Sequence, residues 1–433
     1  MTQPSAPARP VGYLRALFLA NGVFAAAVWP FAAVILRGRG LDPALIGLVV
    51  GAGALAATVI TPWFGHLADV VVGRVAAVRI TVGIAVVAAI ALLLPSPIVV
   101  VAVAVASVAV QMNLMLGLGD ALAVDALHAP TRQYGRLRSL TSFSYAVAVI
   151  AAGFVYNGAG YGAAPVVALV GAWVIFVIVG RVPDPTRDPR IRHAVARRGA
   201  EIAGRFGSIS RALAVEPRLL VLLAALTLAY TGVMGGVTFV SIRIAELGGR
   251  PSDVALSWGI SALTEIPGLL TAGVLVRRFG LRAMFLGALA VHAVLIASWG
   301  VLPSPVLINA TRLLTGLCFG SLLATRVLSI NSLLPAELQG TGQTLMTAMT
   351  FGLGAVAGGV VGGVVYGLAG PMAFFLFAAG LTAAGGVGTW FALRPGPTAL
   401  KSEHGRQPEY REQRRLERVE LDDLAVVDAK HVE

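Results

Sequence analysis

Cysteine is all but missing from this chain. Cys318 stands alone, so neither an internal disulfide nor a multi-cysteine metal site can form. Lysine is almost as scarce, supplying two of the 33 basic residues. Charge of either sign is thin: 12% of residues, where an ordinary soluble domain carries about a quarter. That excludes a conventional water-soluble fold. No histidine cluster, Ser/His/Asp set or acid pair at metal-ligand spacing is present, so the sequence predicts no enzyme, no metal and no cofactor. The net charge is +12, but no aromatic platform or zinc spacing accompanies it, and nucleic acid is excluded as a partner.

What fills the chain instead is apolar: 57% hydrophobic residues, a mean hydropathy of +0.83 and 51 glycines. Runs of about 20 apolar residues are long enough to cross a bilayer as helix, and glycine lets such helices pack backbone to backbone. The sequence predicts an all-α polytopic membrane protein with twelve spans. They lie at 12–36, 44–67, 76–94, 98–124, 137–158, 161–181, 218–242, 254–276, 282–301, 306–331, 341–367 and 372–393. Leu41-Asp42-Pro43 reads as a helix start, with Asp42 as cap and Pro43 in the first position. The first residues have no small-residue cleavage site and read as a retained tail.

Arginines orient the spans. One set of loops holds Arg74 and Arg79, Arg132, Arg136 and Arg138, nine arginines from Arg181 to Arg218, and Arg277, Arg278 and Arg282. The opposite loops hold only Arg37, Arg39, Arg243 and Arg250, and four of them have none. The loop after span ten is weak, with only Arg326 near its edge. Positive-inside places both termini in the cytoplasm and the protein in the cytoplasmic (inner) membrane.

The long polar connector 182–217 divides the chain into a six-helix half at 1–181 and another at 218–393, followed by a charged cytoplasmic tail at 394–433. Glu409 to Leu421 in that tail could form a solvated helix. The halves echo one another at an offset of about 207 residues; Pro95-Ser-Pro97 returns as Pro303-Ser-Pro305. Parallel six-span repeats mark the major facilitator fold of two pseudo-symmetric bundles.

Gly65-His-Leu-Ala-Asp69-Val-Val-Val-Gly73-Arg74 closes span two and resembles the loop signature of that superfamily, with one extra residue before the second glycine. The resemblance sharpens at Val28-Trp-Pro30-Phe31, Tyr134-Gly135-Arg136-Leu-Arg138, Trp258 with Glu265-Ile-Pro267, and Leu314-Thr-Gly316-Leu-Cys-Phe319-Gly320. These are similar to the lactose-permease, phenylpropionate-permease and nucleoside-symporter branch. The resemblance implies that Asp120 and Arg138 take the places of a sugar-binding glutamate and arginine, and Tyr145 that of a tryptophan against which the sugar ring stacks. It also implies a lysine-like place for Arg312. The proton-coupling positions of that branch fall here on Thr315, Cys318 and Leu295, none of which carries a proton in that way; His292 lies about one turn from the last.

The residues themselves point the same way. Asp120 lies ten residues before Pro130 and Arg138 eight after, which puts an acid and a guanidinium at similar depth in antiparallel helices. Such a pair is costly in lipid and serves either as a substrate site or as a structural bridge. Asp125 reads as a loop partner of Arg132 or Arg136. Glu265 sits near the middle of span eight, where a charge is costly to keep, and is a candidate proton carrier or substrate ligand, with His292 as a second proton candidate and Arg312 as the expected partner of Glu265. Polar Gln111, Asn113, Asn309, Asn331 and Gln343 read as helix-to-helix hydrogen bonders.

The expected function is secondary transport of a small polar or amphipathic solute by alternating access, with protons as a possible second partner, in a monomer. The competing readings are an exporter of hydrophobic compounds and a non-transporting sensor.

Overall fold

A chain this apolar can satisfy its backbone in lipid only by helices or a closed barrel. Its punctuation decides between them, because breakers fall between apolar runs of helical length. The computed structural model describes residues 9–126, 130–184, 186, 188 and 206–394. Within them the chain forms α1 (Val11–Gly38), α2 (Pro43–Val72), α3 (Arg74–Leu93), α4 (Ile98–Ala126), α5 (Pro130–Ala159) and α6 (Tyr161–Val179). A short helix, Phe206–Val215, precedes α7 (Arg218–Glu246), α8 (Pro251–Phe279), α9 (Leu281–Val301) and α10 (Pro305–Leu333).

The last apolar helix, Ala336–Ala392, is broken at Gly370 (φ 79°, ψ 174°) ahead of Pro371. Glycine takes that positive φ without a Cβ clash, and proline cannot continue the preceding helix. The break yields α11 (336–369) and α12 (371–392), so the described residues hold twelve segments long and apolar enough to cross a membrane. The structure is a multi-pass membrane protein. The connector from 189 to 205, the tail from 395 with its expected helix, and the side chains of Asp125, Arg132 and Arg136 lie outside the described residues.

Helix starts follow local chemistry. Asp42 Oδ1 accepts from the Leu45 N–H at 2.8 Å ahead of Pro43, and Ser304 Oγ accepts from Leu307 at 3.4 Å ahead of Pro305. Other devices recur about 207 residues apart. Arg39, after α1, reaches the last turn of α3 through Leu92 O at 2.9 Å. Arg243, at the end of α7, reaches the last turn of α9 through Trp299 O at 3.3 Å and Gly300 O at 3.4 Å. In both places a guanidinium satisfies terminal carbonyls that a helix leaves unbonded.

Two helix pairs carry the packing between 1–181 and 218–393: α2 against α11, and α5 against α8. Both are tightest at the Pro43 end. Gly47 and Gly51 of α2 face Val356, Gly359 and Gly363 of α11. A Cβ on Gly47 would overlap the Gly359 carbonyl oxygen, and one on Gly359 would sit 2.7 Å from the Gly47 oxygen. At the same end Asn157 of α5 bonds Ser252 of α8 twice, each at 3.0 Å. That end is sealed by backbone contact.

The extra residue in the α2 signature has a structural expression. Ala68–Val72 is a π-helical turn, the form a helix adopts when it absorbs one inserted residue. Past it Arg74 Nε bonds Asp69 Oδ1 at 2.6 Å and its Nη1 reaches Ala121 O of α4 at 3.1 Å. Asp184 meanwhile accepts from the Val75 N–H at 3.0 Å. This knot ties the ends of α2 and α4 to the start of α3. Asp69→Asn is expected to lower the melting temperature in detergent by a few degrees, about 1 kcal/mol for a partly exposed pair. Arg74→Ala should lower it further, since it also frees the Ala121 carbonyl; equal melting of both variants and the parent would refute the assignment.

Candidate functional site

The site is built by two close approaches of helix backbones. On α1, Gly22 meets α5 so tightly that a Cβ there would lie 2.8 Å from the Tyr145 nitrogen, and Thr141 Oγ1 bonds Phe18 O at 3.0 Å. These contacts fix Tyr145. On the other side Gly316 and Gly320 of α10 press onto α8, where a Cβ on Gly320 would meet the Glu265 carbonyl and lie 2.8 Å from the Leu269 nitrogen. These fix Glu265. Gly316 and Gly320, which belong to the Leu314–Gly320 motif, thus act locally by letting side chains meet at the centre.

Tyr145 and Glu265, with Ala262, form a wall shared by two cavities. One has a volume of about 250 Å³ and is lined by Trp29, Trp258, Phe319 and Phe351, together with His292 and Arg312. The other has about 260 Å³ and is lined by Asn21, Asn113, Arg138, Thr141 and Ser142. The first is chiefly apolar with a cationic corner. The second is the more polar of the two and is lined in part by Arg138.

Arg138 lines the second cavity and its Nε lies 3.9 Å from Asp120 Oδ1, an ion pair with both side chains part-exposed (36% and 27%). Asp120 is not among the lining residues of either cavity; it stands beside Tyr134, within ion-pair but not hydrogen-bond reach of the guanidinium.

The expected Glu265–Arg312 pair does not form. Glu265 instead shares the wall of the second cavity with Arg138, from α5, without forming an ion pair among the described residues. Arg312 turns instead to its own bundle, donating from Nε to Ser257 O at 3.1 Å and lying 5.2 Å from the Trp299 ring. The ring is itself fixed by an indole bond to Thr311 Oγ1 at 2.8 Å. Sequence distance alone does not reveal that α5 brings its arginine to α8. His292 is fully buried and lines the first cavity. Thr315 lines the same cavity, while Cys318 lines a separate one between α8, α9 and α10.

Arg326, a loop charge by its place in the sequence, is 6% exposed inside α10. Its guanidinium lies over Phe351 at 4.6 Å and Tyr230 at 5.3 Å. Asn113, expected to bond between helices, bonds its own helix at Ala109 O (2.9 Å) and lines the second cavity. Asn309 does bridge helices, to Asp253 O at 3.0 Å.

A sequence profile of the MFS_1 like family matches residues 14–377, most of the chain. The chain belongs to this family of major facilitator transporters. It is a membrane transporter and not an enzyme. Among curated proteins it is 26% identical over 238 residues to a maltose permease of Geobacillus stearothermophilus; the match takes in 55% of this chain and 57% of that protein's length. A single-substitution variant of the nucleoside transporter NupG superposes with a TM-score of 0.75 at 15% identity, covering 89% of this chain and all of that one. The xylose transporter XylE from E. coli, in a partially occluded inward-open conformation, gives 0.64 at 11% identity over 90% of this chain and 99% of that one. At such identities the likeness to solved structures is one of fold.

Proposed function

We propose that this major facilitator protein is a secondary transporter that moves a small polar or amphipathic solute, of the sugar, nucleoside or aromatic-acid class, across the cytoplasmic membrane. Residues 1–181 rock against residues 218–393 about the central site, with the connector, the tail 394–433 and both termini on the cytoplasmic side. One observation carries this reading: Glu265 of α8 and Tyr145 of α5 form a common wall between two cavities, so a solute bound there touches both halves. A ligand that contacts both halves has different affinities for their two arrangements, which is the requirement for a carrier. The sealed Pro43 end and the part-exposed Arg138 support an inward-facing state. The kinship with a maltose permease and the fold shared with nucleoside and xylose transporters support the solute class.

In this reading Arg138 binds the solute with Asp120 behind it, Tyr145 offers a ring for stacking, Arg312 lies in the apolar cavity, Glu265 carries the coupled proton with His292 as an accessory, and the working unit is a monomer. A second reading, export of hydrophobic compounds, is favoured by the aromatic lining of the first cavity. Counterflow in proteoliposomes loaded with sugars, nucleosides or aromatic acids tests both. Saturable counterflow of one class, lost in Arg138→Ala, is the expected result. Counterflow of apolar compounds that is indifferent to Asp120→Asn would favour the exporter, and absence of counterflow for every solute would overturn transport.

A further inference from the structure

Charge in the centre of this molecule is unevenly satisfied. Arg138 has Asp120 at 3.9 Å and Glu265 as an electrostatic neighbour. Arg312, 2% exposed, is paired with no carboxylate among the described residues, and its Nη1 has no hydrogen-bond partner. Beside it His292 is fully buried, with neither Nδ1 nor Nε2 bonded. Both line the same cavity of about 250 Å³. A buried cation without a counter-charge and a buried imidazole without partners are costly arrangements. They persist together at a cavity wall when the missing partner is the ligand.

We propose that this cavity receives the carboxylate of an amphipathic monoanion on Arg312 and His292, with its apolar body among Trp29, Trp258, Phe319 and Phe351. The planar guanidinium offers a fork that matches a carboxylate, and its orientation is set before binding by Ser257 O and the Trp299 ring. Glu265 shares this cavity wall and holds its proton in the loaded state of the transport reading, which leaves Arg312 as the one charge facing the ligand and selects a monoanion over a phosphate dianion. A sugar would bring hydroxyls but no charge, and Arg312 would stay uncompensated. The inference rests on the transport reading and narrows its substrate class to carboxylic acids.

The test uses the full-length protein in lipid nanodiscs and needs no transport. Tryptophan fluorescence, to which Trp29 and Trp258 report from the cavity wall, is titrated with phenylacetate against phenylacetamide, and with cyclohexanecarboxylate and hexanoate against their amides. At least one acid is expected to bind about tenfold or more tightly than its amide, the gain of a charge-assisted hydrogen bond over a neutral one. Arg312→Gln should erase that preference, and Arg312→Lys should restore part of it. Equal binding of every acid and its amide to the unaltered protein overturns the proposal, whatever the variants do, as does failure of all three acids to bind. A folded Arg312→Gln protein that keeps the preference also overturns it. Equal binding with counterflow intact sinks the anion assignment alone. Acid preference with no counterflow of any solute sinks the transport reading alone.

Discussion

Glu265→Gln is expected to abolish the pH dependence of uptake while sparing exchange. Glu265 stands in the wall of both cavities and has no hydrogen bond or ion pair among the described residues. Its surroundings are the Tyr145 ring, the Arg138 guanidinium and the apolar lining. Glutamine matches the carboxyl in size and polarity but cannot take or release a proton. Accumulation driven by an imposed pH gradient in proteoliposomes should therefore fall by a factor on the order of ten to a hundred, the usual span of a coupling free energy between two sites. Counterflow, which requires no net proton movement, should continue. Accumulation that is unchanged at every pH would remove Glu265 from the coupling scheme. Retained coupling that is then lost in His292→Asn would move the proton site to the imidazole.

Gly47→Leu attacks the other half of the mechanism. The Pro43 end is closed where Gly47 and Gly51 lie against Gly359 and Gly363, with carbonyls and α-carbons in contact. The atom opposing a side chain at 47 is a backbone oxygen, which no rotamer change can move aside. Gly47→Leu is expected to hold that end open, so uptake falls to background while the protein remains in the membrane and still binds ligand. Ser252→Cys, in a Cys318→Ser background, reports the change. Ser252 is 7% exposed and bonded to Asn157 in the closed arrangement, and the substituted thiol should react with an impermeant reagent only when Gly47→Leu is also present. Normal uptake, or an unreactive thiol in the combined variant, would show that the seam does not need glycine.

How far these features can be read from the sequence depends on the range of the interaction. The spans, the Asp42 cap and the break before Pro371 are set by residues within one or two turns, and local chemistry reveals them. The depth match of Asp120 and Arg138 is also local, since only 18 residues of sequence separate them. That Glu265 shares a cavity with Arg138 is hidden because α5 and α8 belong to different halves and meet by packing that no spacing rule encodes. Arg326 is hidden because an arginine near the end of an apolar run looks the same whether it faces a loop or two aromatic rings. The contacts that position the site are made by glycines, and a glycine in sequence does not say which backbone it admits.

The π-helical turn at Ala68–Val72 has a counterpart at Ala348–Gly354, and the two lie on α2 and α11, the helices that meet along the glycine seam. A π turn holds one residue more than an α turn. Passing that residue along the helix shifts the register of everything between its old and new position by one place, a rotation of about 100° and an advance of about 1.5 Å. Each member of this pair thus carries a stored step of screw motion that needs no broken helix. In the proposed transport cycle the seam would then part by two helices turning about their own axes as well as by the halves tilting, and Phe351, carried on α11, would turn with it.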